Sequence, residues 1–167
     1  MNITLIGFRG TGKTTIASLL AQKLGKKLIS TDEEIAKKTK MSPASFAKKH
    51  SLDKLRDIES DVIEYVSDFD DCVFDTGNSI VMRNENIINL KKNSLIVMLT
   101  ADIITIKNRL KGKMPSISRN YFDKIKEAFY EHESRCKRVA DYAIDTSRLN
   151  PEDACDLIAH YLLMEMQ

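Results

Sequence analysis

Cysteine is scarce in this chain, long apolar runs are missing, and neither sign of charge dominates. Each shortage removes a class of protein. Cys72, Cys136 and Cys155 are odd in number, lack C-x-x-C spacing and sit inside apolar or helical patterns. They read as reduced thiols of a cytoplasmic protein, and no disulfide is needed for stability. No apolar stretch approaches the roughly 20 residues of a membrane span. The first apolar run starts at Asn2, which leaves no room for a signal peptide. A soluble, monomeric chain without a membrane partner is expected. The formal net charge of +2 is too small for a nucleic-acid surface, so the many lysines read as solvated helix faces. Repeats and low-complexity segments are absent. The 167 residues, 1–167, make one domain, long enough to bury about 68–70% of the surface of its unfolded chain.

What is present begins with "GFRGTGKTT", residues 7–15, which fits G-x-x-x-x-G-K-[ST] at Gly7, Gly12, Lys13 and Thr14 and adds Gly10. The flanks suit it. "NITLIGF" before it reads as a buried strand, and after it Ile16, Leu19, Leu20, Ala21 and Leu24 recur at helical spacing until Gly25. A glycine loop between a strand and a helix aims its backbone amides and the positive helix end at one anion. Gly10, Thr11, Gly12, Lys13, Thr14 and Thr15 are therefore expected to cradle the phosphates of ATP. Lys13 would reach the β- and γ-phosphates and the Thr14 hydroxyl would ligate Mg²⁺. An ordinary glycine-rich turn with an exposed lysine leaves the flanks unexplained.

Four further apolar runs, 27–30, 72–76, 94–100 and 142–146, alternate with helical patterns. One long helix is expected after Ser51 as cap, with Leu55, Ile58, Val62, Ile63 and Val66 as its inner face. Another follows Thr100, and the last opens on Asn150 as cap with Pro151 at its first position. Such alternation implies an α/β fold, a parallel sheet wrapped by helices, with ligands at the carboxyl ends of the strands. "KGKMPSISRN", residues 111–120, fits neither pattern. It reads as a lid, over about 111–122, or as an ordinary polar connection.

Two aspartates stand where such a site would be built. Asp32, after the second strand, can orient an acceptor hydroxyl and take its proton, or cap the helix expected over 33–38. Asp75, at the end of the third strand, can reach Mg²⁺ as a Walker-B-type aspartate, or cap a turn. Gly77 then lets backbone approach the acceptor. Arg56 carries a fork that matches a carboxylate. It can equally form a helix-surface pair with Glu59 or Ser60.

With "TDEEI", "LRDIES", "DTGNSIV" and "VADYAIDTSRLNP" following the glycine loop in that order, the chain resembles the shikimate kinases over nearly its whole length. The resemblance implies a five-stranded parallel sheet of order 2-3-1-4-5 and transfer of phosphate from ATP to a ring hydroxyl of a small carboxylic acid. It implies an acceptor-binding region at about 32–62, in which Asp32 meets the shikimate hydroxyls and Arg56, held by Glu59, meets the carboxylate. It also implies that Arg148 lies against adenine. Four departures stand out. The family's Gly-Gly-Gly is here Gly77, Asn78 and Ser79; its second carboxylate-binding arginine is His132, with Arg135 further along the same face. Its lid arginine falls at Met114, with Lys113 or Arg119 as substitutes. The first aspartate of its Asp-x-Asp is Ser30, which shifts metal support toward Asp75. Among other readings, a nucleoside monophosphate kinase would want an arginine cluster in the lid, and a GTP switch would want N-K-x-D. A kinase of another hydroxy acid or polyol, or a nucleotide-binding regulator without catalysis, stays open.

Overall fold

Two-residue alternation along the strands decides how the sheet is covered. In β4 (Ser94–Thr100), Leu95, Val97 and Leu99 turn to one face and Ile96 and Met98 to the other, all buried. β1 (Asn2–Ile6) and β3 (Cys72–Asp75) divide in the same way, so both faces require helices. A computed structural model, which describes residues 1–113 and 119–167, completes the sheet with β2 (Lys27–Ser30) and β5 (Tyr142–Asp145). All neighbours are parallel and the order is β2-β3-β1-β4-β5, as expected.

One face packs against α1 (Lys13–Leu24) and α8 (Pro151–Glu165), through Ile16, Leu20, Ile158 and Leu162. The other packs against α2 (Thr31–Thr39), α4 (Leu52–Ser67), α5 (Asn84–Lys91) and α7 (Arg119–Val139). Phe74 at the centre of that second layer is 0% exposed, and complete burial of a side chain of this kind contributes roughly 1.5–3 kcal/mol. A smaller cluster of Phe8, Ala101, Ile106, Leu110, Ile125 and Phe129 ties α6 (Ile103–Lys113) and α7 to the loop after β1.

The register brings the carboxyl ends of the strands to one level: Asp75 lies opposite Leu5 on one side and Ser30 on the other, and Thr100 lies opposite Asp145. That rim is where the expected site residues collect. Ser51 and Asn150 cap α4 and α8 as read from the sequence, accepting from the amides of Lys54 and Asp153.

Several boundaries differ from expectation. β1 stops at Ile6 because Gly7 takes φ 148° and its Cα lies against β4, where an added Cβ would sit 2.2 Å from the Leu99 carbonyl oxygen. α2 begins at Thr31 with Ser30 as its cap, so Asp32 lies inside the first turn and does not cap. Lys111 to Lys113 complete α6 and are not loop. Of the lid expected over 111–122, residues 114–118, Met114 among them, lie outside the described residues. α3 (Pro43–Lys49), α5 and a 3₁₀ turn at Asn78–Met82 are short elements that the apolar pattern did not announce.

Candidate active site

Gly12 adopts φ 97°, a left-handed turn that suits glycine, and α1 starts at the next residue. The loop therefore ends with its amides at the head of α1, as an anion site requires. Lys13 is folded back across it, with Nζ donating to the carbonyls of Gly7 at 2.7 Å and Phe8 at 3.2 Å. Burial lowers the lysine to about 8, while Asp75 and Asp32 pull the other way. Thr11 spends its hydroxyl on the Phe8 carbonyl at 2.7 Å, so its part in phosphate binding is backbone at most. A cleft of about 580 Å³ opens over the loop; Gly10, Thr11, Gly12, Lys13, Thr14 and Thr15 line it together with Asp32, Asp75, Gly77, Asn78 and Lys113.

The two aspartates have distinct environments. Asp75 accepts from the Thr14 hydroxyl at 2.8 Å, which joins the end of β3 to the first turn of α1. Its alternative as a turn cap falls away. One hydroxyl and one carboxylate side by side form the donor set that Mg²⁺ accepts when waters and substrate phosphates complete its shell. Among the described residues no trio of His, Cys, Asp or Glu forms a cage for a metal. Asp32 opens onto the cleft and keeps contact with solvent, yet the surrounding walls raise its carboxyl above the ordinary value, with Asp75 adding to the rise and Lys13 opposing it. Burial raises Asp75 as well, against the Thr14 bond and the Lys13 charge.

Gly77 fixes where Asp32 stands. Its amide donates to Thr31 Oγ1 at 3.0 Å, and an added Cβ would lie 2.6 Å from Asp32 Oδ1. Backbone thus approaches the acceptor-side aspartate with no room for a side chain.

Other expected residues stand elsewhere. Arg56 is half-buried on α4 and pairs with Asp53 at 3.9 Å, not with Glu59 or Ser60. Glu59 instead accepts from the Ser79 hydroxyl, a bond that a glycine at 79 could not supply. Arg56 Nε and Glu59 Oε2 are buried without a partner among the described residues, so the guanidinium keeps an unused donor. His132 is not poised as a cation for a carboxylate. Its ring is buried, Nε2 donates to the Asn78 carbonyl at 2.6 Å, and burial lowers it below the ordinary histidine value. Arg135 turns to Glu131 at 3.4 Å, and neither residue lines the cleft. Arg148 is exposed and lines an adjoining cleft of about 500 Å³ with Asp102, Asp145 and Ser147, Leu149 being common to both.

Arg109 is a cleft residue that the sequence reading did not single out. It lines the main cleft, donates from Nη1 to the Gly10 carbonyl at 3.0 Å and from Nη2 to the Thr146 carbonyl at 2.7 Å, and so clamps the glycine loop to the end of β5. Its only signal was a position on the helix after β4, shared with several other basic residues.

Comparison with known proteins agrees with this geometry. A family model described as shikimate kinase matches residues 9–163. A shikimate kinase of Thermodesulfovibrio yellowstonii is 37% identical over 160 residues, covering 94% of this chain and 92% of the relative. One from Caldicellulosiruptor bescii is 36% identical over 159 residues, with the same coverage. Among solved structures, shikimate kinase from Acinetobacter baumannii in complex with shikimate superposes with a TM-score of 0.88 at 25% identity, over 98% of this chain and 93% of that one.

Proposed function

We infer the reaction from the premise that the chain belongs to the shikimate kinase family: it transfers the terminal phosphoryl group of ATP to a ring hydroxyl of shikimate. The observation that carries this reading is the single cleft shared by Lys13, Asp75 and Asp32, with the phosphate loop on one wall and the Gly77 backbone on the other.

Each residue has a part that its position supports. The loop amides and Lys13 offset charge on the β- and γ-phosphates. Thr14 and Asp75 would hold Mg²⁺, which supplies charge neutralisation on the transferring group. Asp32 orients the acceptor hydroxyl and receives its proton as the oxygen attacks phosphorus; its raised carboxyl makes it a better base than an unperturbed aspartate. Because phosphoryl transfer needs little covalent participation from protein, placing hydroxyl and phosphate in line supplies most of the acceleration. Arg56, with its unused buried donor, is the group on α4 suited to the acceptor carboxylate. Lys113 is the basic residue at the cleft that takes the lid arginine's place, and Arg148 stands on the nucleotide side.

We further place the protein in the cytoplasm as a monomer of one domain that acts on a free small molecule, without nucleic acid or membrane. Its free, buried cysteines and near-balanced charge support that placement. Among the described residues no helix is long and apolar enough to cross a membrane.

The deciding experiment is acceptor-dependent ADP release with shikimate, quinate, gluconate, homoserine and nucleoside monophosphates. Release stimulated by shikimate above the others is the expected result. Release driven by another acceptor moves the substrate and leaves the kinase; no acceptor-dependent release overturns the enzyme.

A further inference from the structure

His132 sits at the centre of a buried contact that nucleotide and acceptor binding leave unexplained. On α7 it is 7% exposed, with the Phe8 ring packed edgewise at 5.6 Å, Nε2 at 2.6 Å from the Asn78 carbonyl oxygen and Nδ1 at 3.5 Å from Cys136 Sγ. A carbonyl oxygen can only accept, so Nε2 carries the hydrogen. In the neutral ring Nδ1 is then a lone pair, and the thiol one helical turn away can donate to it. Burial keeps that thiol protonated, pushed up to about 12. Burial is the main force against a second proton on the ring, the cationic charges of Lys13, Arg135 and Arg9 add to it, and the bond to the Asn78 carbonyl opposes them.

Asn78 follows Gly77, and Gly77 lies against Asp32. The Gly77–Asn78 segment is gripped from two sides: by α2 through Thr31 Oγ1, which accepts the Gly77 amide at 3.0 Å, and by α7 through His132. Strand β3 ends two residues earlier; Thr76 is tied to the Leu5 carbonyl at 2.7 Å and Ser79 to Glu59, and at Gly77–Asn78 itself the two bonds to Thr31 and His132 hold the backbone beside the aspartate.

We propose that His132 is a positioning residue which, as the neutral Nε2–H tautomer that the Asn78 carbonyl requires and the Cys136 thiol accommodates, holds the Gly77–Asn78 backbone against Asp32 and thereby sets the place of the acceptor-side carboxylate. The role deepens the kinase reading and rests on it only for its effect on turnover. It replaces direct carboxylate binding at this position, and it links α7, the helix that follows residues 114–118, to the acceptor end of the cleft.

The test combines ¹⁵N NMR of the imidazole, ¹³C titration of the Asp32 carboxyl, and steady-state kinetics of His132→Ala, His132→Asn and His132→Gln. The wild type should show the neutral Nε2–H pattern from pH 6 to pH 8. His132→Ala should move the Asp32 titration, lower kcat by about 10- to 100-fold and raise KM for shikimate, with ATP affinity unchanged. His132→Gln, whose amide nitrogen can reach as far as Nε2, should recover most of the loss, and the shorter His132→Asn should not. A protonated or Nδ1–H ring, an Asp32 titration that ignores His132→Ala, or a His132→Gln as poor as His132→Ala each overturns the proposal. If shikimate elicits no ADP at all, the substrate assignment fails by itself, and the tautomer and the Asp32 titration still decide the role of His132. Should His132→Ala not fold, those wild-type spectra and His132→Gln decide it alone.

Discussion

Gly77→Ala is the smallest change that separates placement of Asp32 from its chemistry. Gly77 has φ −68° and ψ 162°, a conformation that alanine adopts freely, so the backbone suffers no strain. The added methyl would instead meet Asp32 Oδ1 at 2.6 Å, where ordinary contact begins near 3.4 Å. One of the two must move by most of an ångström. Asp32 is open to solvent on its cleft side and can swing away, so the fold is spared and the catalytic geometry is not. A displacement of that size costs about 10- to 100-fold in kcat, or about 1.4–2.7 kcal/mol of transition-state stabilisation. The measurement is ADP release at saturating ATP and shikimate, with ATP affinity from calorimetry and Tm from a thermal scan. Low kcat with unchanged ATP affinity and Tm is expected. A kcat within about twofold of wild type, when Asp32→Asn has abolished turnover, would show that Asp32 does not need this wall.

Three further outcomes follow from the charges in the cleft. Lys13→Ala should lower kcat by ~10²- to 10³-fold, the loss typical of one preorganised donor, and wild-type turnover in that variant would end the kinase reading. Because burial lowers Lys13 to about 8, the charge that meets phosphate is half lost at that pH and complete only well below it; kcat/KM for ATP should therefore fall as pH rises through about 8, and a flat profile to pH 9.5 would contradict it. Asp75 has its folded carboxyl raised by burial, so its ionisation opposes folding as pH climbs through the window between the unfolded and folded values, and at neutral pH the opposition is complete. Asp75→Asn, whose amide oxygen still accepts from Thr14, should thus raise Tm, while the Mg²⁺ requirement increases. A lower Tm would refute the sign.

The parts legible from sequence were those with local causes. The glycine loop, the caps at Ser51 and Asn150 and the five apolar strands each depend on a few neighbouring residues, and they occur where the pattern placed them. The sheet order was legible only through resemblance, since no periodicity says which strand lies beside which. What stayed hidden depends on distant contacts. Asp32 and Ser30 are both good caps by residue type, and only the register that sets Ser30 beside Asp75 leaves Asp32 facing the cleft. Arg109 lies 99 residues from Gly10, whose carbonyl it binds, and nothing in its own helix distinguishes it from Lys107 or Lys111.

His132 and Ser79 stand where the resemblance sets an arginine and a glycine, and the structure gives each of them a partner that the family residue would not suggest. A hydroxyl at 79 takes a carboxylate oxygen of Glu59, which removes it from competition for Arg56. An imidazole at 132 takes the Asn78 carbonyl with Nε2 and meets Cys136 with Nδ1, which leaves neither ring nitrogen for a carboxylate. Both substitutions tie the segment after β3 to the surrounding helices, and both reduce the positive charge or the freedom available to a carboxylate. At the phosphate end Thr14 stays bonded to Asp75 and Asp75 coupled to Lys13. An enzyme altered in this way should keep its affinity for ATP and hold the acceptor carboxylate through Arg56 alone. Its discrimination among hydroxy acids then rests on the fit against Asp32 and Gly77 more than on charge. Guanidinium does not titrate in the working range and His132 turns both ring nitrogens to protein partners outside the cleft lining, so acceptor affinity should stay level between pH 6 and pH 8. A steep loss of affinity over that range, abolished by His132→Ala, would restore the histidine as a cationic ligand.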